Sequence, residues 1–234
     1  MGRRIAIGDI HGCIRTLEEL LVRKLKIDPG DELFFVGDLV DRGPDSKGVI
    51  DFLIDLRKNK YRIHIVRGNH EQMMLDAWKD PAMVGLWFNN GAEYTLKSFN
   101  IRGGYFQSHE IVRTLPEKYI LFLDELPYFI ELKDFIIVHA GLNFNVMDPF
   151  SDNESMIWIR DGGYNGHKAR GKGIIHGHTP QVISELKYKW TRPGNKLFNI
   201  DTGCVYRHYK GYGHLTAFNL DSLETCSQEN IEDF

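Results

Sequence analysis

Residues 3–12 read RRIAIGDIHG, residues 33–43 read LFFVGDLVDRG and residues 61–71 read YRIHIVRGNHE. Each is a short apolar run that stops at glycine and passes straight into Asp or Asn. Such runs, bounded by turn-forming residues, have the pattern of buried strands. Between them, residues 14–25 place Ile14, Leu17, Leu20, Leu21 and Leu25 at helical spacing, and residues 46–56 do the same with Val49, Ile50, Leu53 and Leu56. Pro29-Gly30-Asp31 marks a turn before the second strand. Strands alternating with helices predict an α/β fold with a parallel sheet of βαβ units. Asp9 precedes Asp38 by 29 positions, and Asp38 precedes Asn69 by 31. One βαβ crossover takes about 30 residues. Each crossover therefore returns its polar group to the same edge, and open α/β sheets bind ligands at their carboxyl edge.

The pattern changes further along. Residues 70–78, 84–99 and 108–126 read as helical, with breaks at Asn89-Asn90-Gly91 and Arg102-Gly103-Gly104 and an end at Pro127. Residues 128–132 and 135–138 read as a hairpin across Lys133-Asp134. Residues 173–176, 197–200 and 214–220 are further strands, so this half is expected to form a second, more antiparallel sheet. Residues 1–234 read as a single domain, since one core can serve up to about 250–300 residues. The polar, acidic stretch 224–234 is expected to fray.

Composition excludes several classes. Lys and Arg number 29 against 32 Asp and Glu, a net charge of −3, so no electrostatic drive toward nucleic acid or an anionic membrane is expected. Three scattered cysteines, Cys13, Cys204 and Cys226, do not make a disulfide framework or a thiolate zinc site. The opening residues lack the apolar stretch of a signal peptide, and no run approaches the ~20 apolar residues of a membrane span. The expected location is the cytoplasm. No GxGxxG fingerprint or P-loop is present. Glycine is 23 of 234 residues, above the usual ~7%. The excess falls beside Asp and His, where tight turns bring backbone close to a ligand.

The chemical side chains gather at strand ends: Asp9 and His11, then Asp38, Asp41 and Arg42, then Asn69, His70 and Glu71, then His139, then His176 and His178. Taken singly, Asp9 or Asn69 would be a helix cap and His139 a structural histidine; the joint pattern is what points to chemistry. Oxygen and imidazole groups without thiolate suit Mn²⁺, Fe or Zn²⁺. Six such groups exceed one closed tetrahedral site and suit two open ones. Asp9, His11 and Asp38 are assigned to one ion, and Asp38, Asn69, His139 and His178 to the other, with Asp38 as the bridge. Two divalent ions against two carboxylates leave the pocket positive, which invites a phosphate. Two such ions about 3.5–4 Å apart can activate a bridging water and stabilise an in-line displacement. Elsewhere, His64 reads as packing within a strand, and His109, His167, His208 and His214 as surface or local bonds. Trp87, Phe88, Tyr94 and Phe99 read as helix core, and Lys187-Tyr188-Lys189-Trp190 as a solvated strand face.

GDIHG (8–12), GDLVDRG (37–43), RGNHE (67–71), HAG (139–141) and GHT (177–179) resemble the calcineurin-like metallophosphoesterases. More narrowly, they are similar to the small bacterial and phage members of the PPP serine/threonine protein phosphatases, as are Asn90-Gly91 with Thr95-Leu96 and Ile200-Asp201-Thr202-Gly203. The resemblance implies a four-layer α/β/β/α sandwich of two mixed sheets flanked by helices, with a dinuclear centre between the sheets, Mn²⁺ being the first choice of metal. It supports the ligand split above. It implies His70 as the general acid, Asp41 as the group orienting it, and Arg42, Arg160 and Asn69 as phosphate-binding residues. The implied mechanism is direct attack on phosphorus by a hydroxide bridging the metals, without a phosphoenzyme. The leading expectation is a serine/threonine protein phosphatase, favoured by the Asp41-Arg42 pair and by Glu71 after Asn69-His70. The alternative is a dinucleoside polyphosphate hydrolase such as a diadenosine tetraphosphatase. A non-catalytic metal-binding scaffold is a third reading, and it is disfavoured because no ligand is missing. The partner is accordingly a phosphoprotein or a phosphorylated small molecule.

Overall fold

The computed structural model describes residues 2–101, 108–190 and 193–234. The strands are β1 (Arg4–Ile7), β2 (Glu32–Phe35), β3 (Arg62–Ile65), β4 (Phe129–Glu131), β5 (Phe135–Val138), β6 (Gly173–His176), β7 (Leu197–Asn199), β8 (His214–Asn219) and β9 (Thr225–Glu229). The helices are α1 (Ile14–Glu18), α2 (Ser46–Lys58), α3 (Asn69–Lys79), α4 (Val84–Phe88), α5 (Ala92–Ser98), α6 (His109–Val112), α7 (Glu117–Asp124), α8 (Asn153–Trp158) and α9 (Ile183–Trp190). A π-helical stretch, Glu19–Lys24, prolongs α1.

The first sheet has the order β3-β2-β1-β8-β9 and the second the order β4-β5-β6-β7. β1, β2 and β3 run parallel, as the βαβ spacing predicts, and β8 joins β1 antiparallel. Side chains alternate across each strand, and the alternation sorts the apolar residues into three layers. Ile5, Ile7, Leu33, Phe35, Ile63 and Ile65 face the helices, against Leu17, Leu53, Met74 and Leu96. Ala6, Phe34, Val36 and Val66 face the other way and pack on Phe135, Ile137, Ile175 and Phe198 of the second sheet. Ile136, Val138 and Ile174 point outward beneath Leu142, Met156 and Ala169. Two mixed sheets lie face to face between helical layers, the four-layer α/β/β/α sandwich expected from the motifs.

Several expectations are corrected. The second sheet is mostly parallel: β4 and β5 form the hairpin, but β5, β6 and β7 run parallel. The reason is that long connections carrying α8 and α9 lead from β5 to β6 and from β6 to β7, and such crossovers permit parallel pairing. β8 leaves that sheet and joins the first. Residues 108–126 form two helices, α6 and α7, because Pro116 caps the second. Residues 187–190 lie in the helix α9, not on a strand face. The break assigned to Arg102-Gly103-Gly104 lies outside the described residues.

The expected frayed tail is also corrected. Residues Thr225–Glu229 pair with β8 as the edge strand of the first sheet. Main-chain bonding needs no apolar side chains, so a polar sequence can close an edge. Beyond it, the buried Glu232 accepts hydrogen bonds from Thr16 N (2.8 Å) and Thr16 Oγ1 (3.0 Å). Glu232→Ala leaves these donors unpaired. It is expected to destabilise the fold by about 1–3 kcal/mol in urea unfolding, whereas Glu232→Gln, which keeps an acceptor, loses less.

Candidate metal centre

The carboxyl ends of β1, β2 and β3 and of β5 and β6 open onto one cleft between the sheets. The backbone there is strained. His11, Asp38, Asp41, Arg42 and His178 all have φ between 47° and 71°, a region that costs an ordinary L-residue about 1–2 kcal/mol. The flanking glycines allow closer approach than any side chain would. A Cβ on Gly68 would lie 2.2 Å from Asp38 Oδ1, and one on Gly177 would lie 1.9 Å from Asp9 Oδ1. Glu71 ties two loops together by accepting the amides of Asp38 (2.9 Å), Leu39 (2.7 Å), Val40 (3.3 Å) and Gly68 (2.8 Å). Asp9 Oδ2 accepts the amide of His178 at 2.9 Å and so joins the first sheet to the second.

Asp38 stands at the middle. Its Oδ1 is 3.4 Å from His139 Nε2 and its Oδ2 is 3.6 Å from His11 Nε2. His139 Nδ1 donates to Val36 O (2.8 Å) and His11 Nδ1 to Val40 O (2.9 Å). A carbonyl only accepts, so each Nε2 of the neutral ring is left as a lone pair facing the cleft. Burial lowers the pKa values of both rings, and burial first and then the neighbouring His139 take that of His178 down to about 3. Asn69 Oδ1 lies 2.9 Å from His139 Nε2 and 3.0 Å from His178 Nδ1, and the two nitrogens are 3.2 Å apart. At most one proton can serve these three atoms, whereas a divalent cation satisfies all of them.

Three buried polar atoms of the cleft have no partner: Asp9 Oδ1, His70 Nε2 and His178 Nε2. Two sets of ligand atoms lie within 4.8 Å of one another, His11 with Asp38 and His70, and Asp38 with His139 and His178. Asp38 belongs to both. The residues present therefore fit a pair of divalent cations. In the first set His70 stands where the sequence reading put Asp9. Asp9 is nevertheless part of the same charge cluster, because burial first and then Asp201 and Asp38 push its pKa well up. Burial likewise works against the Asp38 anion, but the neighbouring His139, His70, His11 and Arg42 outweigh it and hold its pKa low.

Arg42 Nη1 donates to His11 Nε2 at 2.9 Å. The guanidinium also sits 5.9 Å from the centre of the Tyr206 ring. Arg160 is exposed, two residues past Trp158, and close enough for its charge to lower the His178 pKa. His176, which the sequence left without a role, is a neutral ring bonded locally to Gly177 O; burial takes its pKa down to about 4.

The sequence did not reveal what surrounds Asp41. His70 Nδ1 donates to Asp41 Oδ2 at 2.7 Å. Trp87 Nε1 donates to the same oxygen at 2.9 Å, and Thr95 Oγ1 to Asp41 Oδ1 at 2.6 Å. Ser46 Oγ and Thr95 Oγ1 both accept from the Asp41 amide. Trp87 had been read as core, and it is fully buried, but its indole N–H serves this carboxylate. The only signal was the Asn90-Gly91 and Thr95-Leu96 resemblance. Gly91, at φ 103°, brings its carbonyl to the Arg42 amide. Burial opposes a proton on His70, but Asp38 and Asp41 outweigh it and raise the pKa.

Two outcomes follow. Mn²⁺ is expected to raise the thermal unfolding midpoint, as any ligand of the folded state does. Asp38→Asn is expected to lose most of that rise and most of the bound metal measured by mass spectrometry. Thr95→Val preserves shape but leaves Asp41 short of a donor, and is expected to lower stability by about 1–3 kcal/mol in urea.

The chain has well-matched relatives. It is 28% identical over 253 residues to a bis(5′-nucleosyl)-tetraphosphatase PrpE [asymmetrical] of Oceanobacillus iheyensis, covering 97% of this chain and 92% of that one. The Anoxybacillus flavithermus protein of the same name is 30% identical, covering 94% and 91%. A protein serine/threonine phosphatase from Saccharomyces cerevisiae superposes with a TM-score of 0.65 at 19% identity, covering 100% and 81%, and so shares the fold. A solved structure described as a candidate diadenosine tetraphosphatase gives 0.63 at 24% identity, covering 99% and 95%. The sequence profile described as calcineurin-like phosphoesterase matches residues 2–214, which span both sheets and every strand end of the cleft. On that match the chain belongs to the calcineurin-like phosphoesterases and is a metal-binding hydrolase of phosphoesters.

Proposed function

We propose that this enzyme hydrolyses bis(5′-nucleosyl) tetraphosphates asymmetrically, giving a nucleoside monophosphate and a nucleoside triphosphate. The observation that carries the hydrolytic reading is Asp38, placed between two clusters of ligand atoms beside the His70–Asp41 pair and Arg42. The substrate class is supported by near full-length likeness to proteins named as tetraphosphatases. This reverses the order of the two readings drawn from the motifs. Asp41, Arg42 and Glu71 belong to the phosphate and proton machinery, which both substrate classes need, so they do not discriminate between them.

Asp9, His11, Asp38, Asn69, His139 and His178 would hold two divalent cations, with Mn²⁺ the proposed identity. When bound, such ions supply Lewis acidity toward phosphoryl oxygens and a water of lowered pKa. The chain's own groups supply the rest. Arg42 and Arg160 orient the phosphoryl oxygens, Arg42 with a planar fork suited to paired acceptors. Asn69 is near enough to the same group to help position it. His70 donates its Nδ1–H to Asp41 and, with its pKa raised by Asp38 and Asp41, carries a second proton on Nε2, which it gives to the leaving oxygen as general acid. Asp41 is held in orientation by Trp87 and Thr95. No described helix is long and apolar enough to cross a membrane; the proposed location is the cytoplasm, where nucleotides are abundant.

A second reading is dephosphorylation of phosphoserine or phosphothreonine in proteins, since the motifs Asp41-Arg42 and Asn69-His70-Glu71 are compatible with either substrate class. Parallel assays of the Mn²⁺-loaded enzyme separate the two. Diadenosine tetraphosphate is expected to give equal amounts of AMP and ATP, with kcat/KM at least about tenfold above that for a phosphopeptide, a gap of about 1.4 kcal/mol. The opposite ratio would install the protein phosphatase reading. His70→Ala is expected to keep its metal and lose about 10²–10⁴ in turnover of an alkyl phosphoester; full activity at neutral pH would remove the acid role.

A further inference from the structure

Between α3, which begins with Asn69 and His70, and α8, which ends at Trp158, lies an open groove of about 650 Å³. That volume is within the range of small-molecule sites, about 300–1,000 Å³. Its apolar wall includes Met73, Met83, Leu86, Ile157 and Trp158. Leu86 and Trp158 keep 43% and 37% of their surface exposed, more than a closed core would leave them. The groove opens on the metal centre. The Trp158 ring stands edge-on to His178 with centroids 6.3 Å apart, and Met73 lies one helical turn along α3 from His70.

The charge of the groove is as informative as its shape. Among the described residues, the acidic side chains lining it are Asp76 and Glu154, and none of the lining residues is Lys or Arg. A phosphate chain would meet two carboxylates there and no cation. An uncharged, flat group carrying hydrogen-bond donors fits better. A nucleobase can stack on Trp158, an interaction worth about 1–3 kcal/mol. Its exocyclic amine or the ribose hydroxyls can donate to Asp76, Glu154 or the Asn153 side-chain carbonyl.

We propose that this groove receives the nucleoside attached to the phosphorus that water attacks. The inference rests on the tetraphosphatase reading and adds the regiochemistry. A groove with an aromatic wall and acidic lining, set beside the metal centre, takes the nucleoside and puts the phosphorus that bears it at the reacting position. The water oxygen, losing a proton, bonds to that phosphorus, and the bond from the same phosphorus to its bridging oxygen breaks. The bond's electron pair leaves with the triphosphate, whose oxygen takes up a proton. The products are a monophosphate and a triphosphate. A nucleoside held farther off, two phosphates from the centre, would instead direct the cut to the middle of the chain.

Three measurements test this. In wild-type, Mg²⁺-loaded protein carrying ¹³C-methyl methionine, adenosine is expected to shift Met73 and Met83 and to leave Met147 and Met156 in place. Tripolyphosphate, which has no nucleoside, is expected to leave Met73 and Met83 unmoved. Shifts absent with adenosine, or produced by a phosphopeptide instead, overturn the proposal. Hydrolysis of diadenosine tetraphosphate in H₂¹⁸O is expected to place the label in AMP; label in ATP overturns it. Met83→Trp, which fills the groove, is expected to lower the ratio of kcat/KM for diadenosine tetraphosphate over tripolyphosphate by about tenfold. An unchanged ratio counts against the groove, and the titration of the wild-type protein decides whether or not that variant folds. If the dinucleotide is not cleaved at all while adenosine still shifts Met73 and Met83, the groove stands and the substrate reading falls.

Discussion

A carboxylate buried among acceptors is the condition the rest of the molecule accommodates. Asp38 is almost fully enclosed, with Asp9, Glu71 and Asp201 also buried nearby. Burial, Asp38's charge and the amides around them contend at each of these groups, and Glu71 and Asp201 are pushed up to about 7. Gathering this much negative charge out of water is unfavourable unless positive charge comes with it. The lone pairs of His11, His139 and Asn69 face the same space, which is the donor set that divalent ions of the Mn²⁺ and Zn²⁺ kind accept.

Holding that arrangement requires support from several directions. The two sheets bring strand ends together from opposite faces, and the bond from the His178 amide to Asp9 Oδ2 crosses between them. At the far edge Arg4 bonds to Asp134 at the hairpin turn and to Asp221, linking the sheets a second time. The left-handed backbone at five polar residues of the cleft would be unfavourable in isolation, and it persists because amide bonds to Asp38 O and Glu71 over-determine the loops. Around Asp41, hydrogen bonds from Trp87, Thr95 and His70 hold a fully buried carboxylate in one orientation. These contacts bind no substrate, yet the orientation of His70 depends on them.

Much of this was readable before any coordinates. The runs ending at Ile7, Phe35 and Ile65 lie in the parallel strands that their spacing predicts, and Asp9, Asp38, Asn69, His139 and His178 meet at one cleft. The misreadings share a cause. Residues 225–229 are polar and look like a tail, but strand pairing is a main-chain interaction, and β8 needed an edge. Residues 187–190 and the direction of β6 depend on what they pack against and on crossover geometry, neither of which periodicity records. Trp87 looked like core because its ring is apolar; the destination of one N–H is invisible in composition.

The amino-acid sequence by itself determined the parallel βαβ half of the fold and the Asp, Asn and His residues at its strand ends, because strand periodicity, crossover length and residue type are local properties of the chain. Only the tertiary structure decided that His70 stands with His11 and Asp38, that Trp87 and Thr95 hold Asp41, and that an acidic groove walled by Trp158 adjoins the cleft. Those are distances between segments far apart in the chain. They are set by how the two sheets and their helices pack, which no stretch of sequence specifies alone.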